Sequence, residues 1–298
     1  MLKRSFCRPR LLLLLWLVFL LPLAARAQST ETFRSWNIPV KPYRVMGNIY
    51  YVGTNEITSF LITTPQGHIL IDSGFQETVP IIRDGVRKLG FRFEEIKTLL
   101  NTQAHIDHAG GLALMKQLTG ARLVASEADA ALIAQGGKGD FRFGDTLSYQ
   151  PATAERIIRD QDRVTLGGVT LTAHLTPGHT KGCTTWTMTV REGKRKLNVV
   201  FVGSTTINEG VRLLNNPAYP NIASDYARTF RVLKALSCDI FLASHASFYA
   251  MGEKMRRLER GEKTNPFIDP QGYRAFVAET EAAYLKQLRE EQQAGARK

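Results

Sequence analysis

Cysteine, long apolar runs and blocks of basic residues are all scarce in this chain of 298 residues. It has three cysteines, one long apolar run, and no block of Lys and Arg interleaved with aromatic residues. The lack of such a block argues against a nucleic-acid partner, because nucleic acid is bound by clustered positive charge. A Ser-x-x-Lys run is also absent, so no serine nucleophile of that type is indicated. The mildly basic composition could attract an anionic small molecule, although a solvated basic surface is the simpler interpretation.

The N-terminus has the pattern of a secretory signal peptide. Four basic residues precede the apolar run 11–21, and Ala25-Arg26-Ala27 supplies a small-x-small cleavage site. The run is shorter than the roughly 20 residues that a membrane-spanning helix needs. We therefore predict that residues 1–27 direct export to the periplasm and are removed, with no stable membrane insertion afterwards. Their removal takes away five basic and no acidic residues, so the formal net charge falls from +12 to +7.

Two cysteines remain after this cleavage, Cys183 and Cys238. An exported protein can pair two cysteines in a disulfide. Both residues lie in apolar, strand-like segments, however, where two buried free thiols are equally compatible with the sequence. The sequence leaves both alternatives open.

Strands occur in two groups, and helices follow each group. Residues 43–71 predict three strands, "NIYYVG", "TSFLITT" and "GHILIDSG", and the strands "IKTLLNT" and "ARLVAS" come next. The second group contains "RVTLGGVTLTAHL", "CTTWTMTV", "LNVVFVG" and "DIFLAS". Apolar residues at helical spacing predict helices at 79–89, 112–118, 127–134, 224–236 and 272–292. Because there is no repeat and no linker, residues 28–298 are predicted to form a single domain.

Two groups of strands, each closed by helices, predict an α/β fold in which two sheets pack face to face and helices cover the outside. In such a layered fold, functional residues gather on loops at the strand ends. Residues 136–154 are polar and rich in glycine, and they predict a long surface loop of the kind that is often functional. Its aromatic residues Phe141, Phe143 and Tyr149 either flank a functional cleft or anchor the loop to the core.

Histidines follow three of the predicted strands. His105 and His108 come after "KTLLNTQA", His179 follows "VTLTAHL", and His245 follows "DIFLAS". With Asp107 between the first two, these loops carry imidazole and carboxylate groups, which are ligands that zinc accepts. The sequence therefore predicts a metal site where the three loops converge. His68 and His174 lie within strands instead, and we predict that they are packing or surface residues.

These motifs resemble the metallo-β-lactamase superfamily, whose His-x-His-x-Asp-His signature corresponds here to Gln103-Ala-His105-Ile-Asp107-His108. Four further segments occur in the order of the family: "GNIYYVG", "GHILIDSG", "TPGHTKG" and "FLASHASF". The resemblance implies an αββα sandwich of two mixed sheets with outer helices and a dinuclear zinc cleft at one edge. It assigns Gln103, His105 and His179 to the first metal, and Asp107, His108 and His245 to the second.

The loop after "LNVVFVG" narrows the resemblance. It reads Gly203-Ser204-Thr205-Thr206, where many thioesterase-like and lactonase-like members carry a bridging Asp and other zinc β-lactamases carry a Cys. This pattern is similar to subclass B3 of the metallo-β-lactamases, which implies that Ser204 and Thr206 hydrogen-bond the carboxylate of the substrate. Simple loop capping is the alternative role for these two hydroxyls.

The resemblance implies zinc-dependent hydrolysis of the β-lactam amide bond of penicillins, cephalosporins and carbapenems, which confers antibiotic resistance. Zinc lowers the pKa of bound water towards about 7, so a metal-bound hydroxide can attack the lactam carbonyl. Asp107 and His108 are the predicted catalytic residues, with Asp107 orienting the nucleophile. We expect a monomer whose partner is a small-molecule β-lactam. The alternatives are another exported hydrolase of this fold, acting on a lactone, thioester or phosphoester, and a zinc-binding protein that has lost catalysis.

Glutamine at position 103 bears on the metal content. A neutral amide is a poorer zinc donor than imidazole, so we expect one or two zinc ions per chain. The site formed by Asp107, His108 and His245 should be the stronger and should fill first. Asp72, at the end of "GHILIDSG", is predicted to orient the motif loop by hydrogen bonds rather than to bind metal.

Overall fold

The computed structural model describes residues 31–296, and it contains two sheets packed face to face. The first sheet has seven strands in sequence order: β1 (Tyr43–Met46), β2 (Ile49–Tyr51), β3 (Phe60–Thr64), β4 (Gly67–Ile71), β5 (Ile96–Leu100), β6 (Arg122–Ser126) and β7 (Arg156–Ile158). Strands β1 to β4 are antiparallel, and β4 to β7 are parallel. The sheet is therefore mixed.

The second sheet has five strands in the order β12-β11-β10-β9-β8. Its members are β8 (Arg163–Leu166), β9 (Val169–Leu175), β10 (Thr184–Glu192), β11 (Arg195–Val202) and β12 (Ile240–Ala243). Strands β8 to β11 pair antiparallel, whereas β11 and β12 are parallel. Strands β9, β11 and β12 consequently run in one direction and end at one edge of the sheet.

The outer layers are helical. Residues 31–36 form α1, and the other α-helices are α2 (Thr78–Lys88), α3 (Ile106–Ala109), α4 (Leu112–Thr119), α5 (Glu127–Ala134), α6 (Ile222–Ala235), α7 (Met251–Glu259) and α8 (Pro270–Ala296). Helix α4 ends at Gly120, whose φ of +67° suits glycine because it has no Cβ. Among residues 31–296, no helix is both long and apolar enough to cross a membrane.

Successive side chains of a strand point to opposite faces of its sheet, and this alternation explains how the sheets and helices are layered. In β3, Phe60 and Ile62 point into the core between the sheets, while Leu61 packs on the opposite face against the helical layer of α2, α4 and α5. This period of two follows from the pleat of a strand. The run Ile240–Ala243 of β12 is buried throughout, because the other sheet covers one of its faces and helices cover the other. The predicted αββα sandwich is confirmed.

Two details of the prediction are wrong. Residues 43–71 contain four strands rather than three, because Tyr43–Met46 forms β1 at the edge of the first sheet. Strand β7 at the other edge was also missed. The described residues also decide between the alternatives for cysteine, since Cys183 and Cys238 are both buried free thiols. The predicted signal peptide, residues 1–27, lies outside the described residues.

Candidate metal centre

The ligand-bearing loops leave the ends of strands that finish at one edge of the sandwich. The motif loop follows β5, the His179 loop follows β9, and His245 comes two residues after β12. The two sheets are joined at this edge, where Trp186 Nε1 of β10 donates a hydrogen bond to the carbonyl oxygen of Asn101, 3.1 Å away. Residues far apart in the sequence are thereby brought into one cleft.

Asp107, His108 and His245 form a compact triangle of ligand atoms. Nε2 of His108 lies 3.2 Å from Nε2 of His245 and 3.2 Å from Oδ2 of Asp107, and the third edge, His245 to Asp107, is 3.4 Å. A tetrahedral zinc ion with ligands at about 2.0–2.1 Å separates neighbouring ligand atoms by about 3.3 Å. The three side chains therefore fit one zinc ion, and they form the one such group of His, Cys, Asp and Glu found in residues 31–296.

The electrostatics of this triangle favour a positive charge at its centre. Burial disfavours an ionised Asp107, yet the neighbouring His108 and His245 hold the pKa of its carboxyl well below the usual range. Burial likewise opposes a charged His108, but Asp107 and Asp72 raise its pKa to about 10. The same arrangement that stabilises a proton on His108 would stabilise a metal cation.

His105 and His179 form the core of a second group beside the triangle. Nδ1 of His105 lies 3.1 Å from Nε2 of His179, a separation that also suits two ligands of one zinc ion. His105 precedes helix α3 in an extended conformation, whereas Asp107 and His108 lie within that single turn. The turn therefore directs His108 away from His105, which is why one short motif supplies two ligand sets.

Gln103, the third predicted ligand of the first metal, is completely buried. Neither its amide oxygen nor its amide nitrogen has a hydrogen-bond partner among residues 31–296. An unpartnered buried amide costs roughly 1–3 kcal/mol, and coordination of a cation by its oxygen would remove part of that cost. The burial of Gln103 fits the predicted ligand role.

Carboxylates lie behind both imidazoles of the triangle. Nδ1 of His108 is 3.4 Å from Oδ2 of Asp72, and Nδ1 of His245 is 3.3 Å from Oε1 of Glu56. Asp72 also accepts hydrogen bonds from the backbone N–H and the hydroxyl of Thr102, at 2.8 and 2.5 Å. These hydrogen bonds agree with the predicted orienting role of Asp72. Partners of this kind fix the tautomer and direction of metal-binding histidines.

The other two histidines also have oxygen atoms as neighbours. Nε2 of His105 lies 3.5 Å from Oδ2 of Asp140, and Nδ1 of His179 lies 2.8 Å from the carbonyl oxygen of Thr206. Burial and the neighbouring His105 lower the pKa of His179 to about 3. His179 is thus neutral at physiological pH, which is the form that binds a metal.

The loop that carries His179 is fixed from two sides. A Cβ on Gly178 would lie 2.8 Å from the ring of Tyr226, so this position requires glycine. On the other side, the carboxyl of Asp129 accepts hydrogen bonds from Thr180 Oγ1 and Gly182 N, at 2.9 and 3.0 Å. The imidazole of His179 is therefore carried by a constrained loop.

Ser204 and Thr206 stand at different depths. Thr206 lines the cleft, and its hydroxyl is 3.1 Å from that of Ser204. Ser204 is only 1% exposed and lies behind Thr206. Of the two predicted substrate-binding hydroxyls, Thr206 is the one placed at the cleft surface, and Ser204 orients it.

The three aromatic residues of loop 136–154 have different roles. Phe143 lines the cleft and contacts His105 edge-on, with ring centroids 5.2 Å apart. Phe141 packs against Tyr219, and the hydroxyl of Tyr149 donates to the carbonyl oxygen of Ala104 at 2.6 Å. The loop therefore flanks the cleft through Phe143 and is anchored by its other two aromatic residues.

Aromatic residues form the opposite wall. Trp36 and Phe248 contact the ring of His245, with centroids 5.6 and 4.9 Å apart, and Phe33 packs on Phe75. The cleft has a volume of about 710 Å³, within the range typical of small-molecule sites. Its walls combine aromatic residues with a few charged ones, and its floor carries the predicted ligands.

The two remaining histidines lie outside the cleft. His68 is buried in β4 and contacts Phe91, and His174 in β9 is buried with Gln161 and Thr187 as partners at 3.0 and 2.8 Å. Of the two roles predicted for them, packing or surface, their burial indicates packing.

Sequence reasoning missed Glu56 and Asp140, the carboxylates behind His245 and His105. Glu56 lies in the turn between β2 and β3, and that turn pairs with the end of β12 through a bridge between Ile57 and His245. No local pattern links these distant segments. Asp140 follows a run of glycines in loop 136–154, which was the only available indication of a functional turn.

The comparisons with known proteins agree with this geometry. A model of the metallo-β-lactamase superfamily matches residues 52–245. The structure is similar to the native FEZ-1 metallo-β-lactamase of Legionella gormanii, with 41% identity over 86% of this chain and 98% of that one and a TM-score of 0.84. BJP-1 of Bradyrhizobium japonicum, a subclass B3 metallo-β-lactamase, matches with 40% identity over 87% of this chain and 97% of that one, and a TM-score of 0.81.

Two further matches extend the comparison. The metallo-β-lactamase GOB-18 of Elizabethkingia meningoseptica has 40% identity over 86% of this chain and 94% of that one, with a TM-score of 0.80. A curated relative, a probable metallo-hydrolase of Burkholderia pseudomallei strain 1710b, is 28% identical over 122 residues, and this match spans 40% of each chain. The resemblance predicted from the motifs is confirmed.

Proposed function

The chain belongs to the metallo-β-lactamase superfamily, and from this premise we propose that it hydrolyses the β-lactam amide bond of penicillins, cephalosporins and carbapenems with zinc as its cofactor. Such an activity would confer resistance to these antibiotics. The observation that carries the proposal is the triangle of Asp107, His108 and His245, with edges of 3.2 to 3.4 Å, on the floor of a cleft of about 710 Å³.

Asp107, His108 and His245 would hold one zinc ion, and Gln103, His105 and His179 a second. Zinc bound there supplies positive charge beside the reacting carbonyl and lowers the pKa of a coordinated water from about 15.7 towards 7. The chain itself supplies orientation, since the carboxylates of Asp72 and Glu56 fix the imidazoles of the triangle. A charged, fixed set of ligands needs little reorganisation when charge develops in the transition state.

We propose that the triangle binds zinc more tightly than the second group and fills first. It contains an anionic ligand, Asp107, and two imidazoles, each backed by a carboxylate. The second group has two imidazoles and the neutral amide of Gln103. Attraction between a dication and the buried carboxylate of Asp107 strengthens zinc binding by the triangle.

The hydroxyl of Thr206 is proposed to bind the ring carboxylate of the lactam. It lines the cleft next to His179, and Ser204 Oγ, 3.1 Å behind it, supports its orientation. Trp36 and Phe33 on one wall and Phe143 on the other would cover the remainder of a bound lactam and exclude water from it.

A chromogenic cephalosporin assay with and without chelator tests the proposal, with lactone, thioester and phosphoester substrates run in parallel. We expect cephalosporin turnover that chelator removes and zinc restores. Turnover of a lactone, thioester or phosphoester without turnover of any lactam would identify a different hydrolase of this fold. Zinc binding without turnover of any substrate would indicate a binding protein.

We also propose that the protein acts in the periplasm as a monomer, exported by residues 1–27 and functioning as the single domain 28–298. The basic start and the Ala25-Arg26-Ala27 pattern support export. N-terminal sequencing of the periplasmic protein should begin at Gln28, and light scattering should give the mass of one chain.

A further inference from the structure

The charge of the cleft wall is unevenly distributed. Three carboxylates line the cleft, those of Glu56 and Glu209 and that of Asp107 on its floor, but Arg142 is the one Lys or Arg among the described residues of the lining. Two of these carboxylates are engaged with His245. Within the described part of the chain, Arg142 is therefore the only permanent positive charge that the cleft lining offers to a ligand.

Packing and a backbone turn hold Arg142 at the cleft mouth. Its Cζ lies 5.3 Å from the centroid of Phe143, a separation suited to a cation–π contact. The ring of Phe143 in turn contacts His105. Oδ1 of Asp140 accepts the backbone N–H groups of Arg142 and Phe143, both at 2.8 Å, so the turn that presents the two side chains is fixed.

The guanidinium reaches towards the loop on the far side of the mouth. A Cβ added to Gly210 would lie 3.6 Å from Nη2 of Arg142, and Gly210 itself has a φ of +78°. The guanidinium N–H groups have no hydrogen-bond or ion-pair partner among residues 31–296. They are donors in a fixed planar array, which matches the geometry of a carboxylate.

We propose that Arg142 forms a carboxylate-binding subsite that recognises β-lactams with a second anionic group on the acyl side chain. The inference rests on the proposed function, in which Thr206 binds the ring carboxylate. Arg142 lies beyond Phe143, outside the ring of metal ligands, where groups attached to the lactam nucleus would extend. The subsite therefore sets substrate preference and does not take part in bond cleavage.

A matched pair of penicillins tests the proposal. Benzylpenicillin and carbenicillin share one nucleus and one phenyl side chain, and differ by a carboxylate on that side chain. We expect Arg142→Gln to lower kcat/KM for carbenicillin about tenfold more than for benzylpenicillin, the size of one charge-assisted hydrogen bond at an exposed site. The change should fall on KM, because the contact is equal in ground and transition states. Arg142→Lys should restore part of the preference.

Arg122→Gln is the matched control, since it removes one exposed positive charge at the start of β6, the opposite end of the strand from the cleft. It should leave the ratio between the two penicillins unchanged. Equal losses with both penicillins, no loss with either, or a lowered zinc content in Arg142→Gln would each overturn the proposal.

Calorimetric binding of the ring-opened products of both penicillins supplies a second readout that requires no turnover. Weaker binding of the carbenicillin product alone in Arg142→Gln supports the subsite, even if the protein hydrolyses neither penicillin. That failure of hydrolysis would refute the proposed function and not the subsite. Equal binding of both products by wild type and variant would refute the subsite.

Discussion

Asp129 carries a carboxyl group that folding buries completely, and its ionisation should destabilise the protein. Its two oxygens accept hydrogen bonds from Thr180 Oγ1 and Gly182 N, but it has no ion-pair partner among residues 31–296. Burial raises the pKa of this carboxyl from 3.8 to about 6, against the opposing effect of these hydrogen bonds. The same group fixes the loop of His179, which links its protonation to the metal centre.

The size of this destabilisation follows from the shift in the pKa of Asp129. A pKa raised by about two units corresponds to roughly 3 kcal/mol of differential stability. Between about pH 4 and pH 6 the folded chain keeps the proton on Asp129 while the unfolded chain has released it. The contribution is therefore fully present below about pH 4 and is lost as the pH rises through about 6.

Urea unfolding of wild type and Asp129→Asn, with chelator in both samples, measures this effect. Asparagine can keep both contacts, because its oxygen accepts from Gly182 N–H and its nitrogen donates to the hydroxyl of Thr180. We expect the free energy of unfolding of the variant, relative to wild type, to rise by roughly 3 kcal/mol between pH 4 and pH 7.5. Asp84→Asn, which removes an exposed carboxylate, is the control. If the free energies of unfolding of wild type and Asp129→Asn changed in parallel with pH, the predicted effect of Asp129 would be refuted.

Three other perturbations have defined outcomes. Gln103→His should tighten the first zinc site, that of Gln103, His105 and His179, because imidazole is the better donor. Unchanged stoichiometry and affinity in a calorimetric zinc titration would argue against Gln103 as a ligand. Asp140→Asn should weaken zinc binding at the first site by about 10- to 100-fold, and equal weakening at both sites would contradict its placement behind His105. Leu123→Ala, in the fully buried layer under the helices, should lower the free energy of unfolding by about 2–5 kcal/mol, and a loss under 1 kcal/mol in denaturant titration would contradict that packing.

The layers of the fold were predictable because local patterns specify them. The side chains of strands such as β3 alternate between the two faces of the sheet, and α2 carries apolar residues at helical spacing. The sequence of each element therefore indicates which of its faces is buried. Strands β1 and β7 escaped prediction for a physical reason. The pairing of β1 shifts register between Arg44 and Met46, and β7 has three residues of which two are exposed. Short edge strands depend on their neighbours more than on their own sequence.

Some residues of the candidate site could likewise be predicted from the local sequence, and others could not. His105, His108, His179 and His245 could be placed in advance, because each stands shortly after an apolar strand in a recognisable motif. The carboxylate of Glu56 could not, since its position beside His245 arises from contact between two distant loops. Tertiary packing, which a single sequence does not encode locally, decides such pairs.

A crystal grown with zinc tests most directly whether Asp107, His108 and His245 hold a single metal ion. Diffraction data collected at the zinc absorption edge should show an anomalous peak bonded to Oδ2 of Asp107 and to Nε2 of His108 and His245, at about 2.0–2.2 Å from each. A zinc-loaded crystal with no peak between these three side chains would contradict the account.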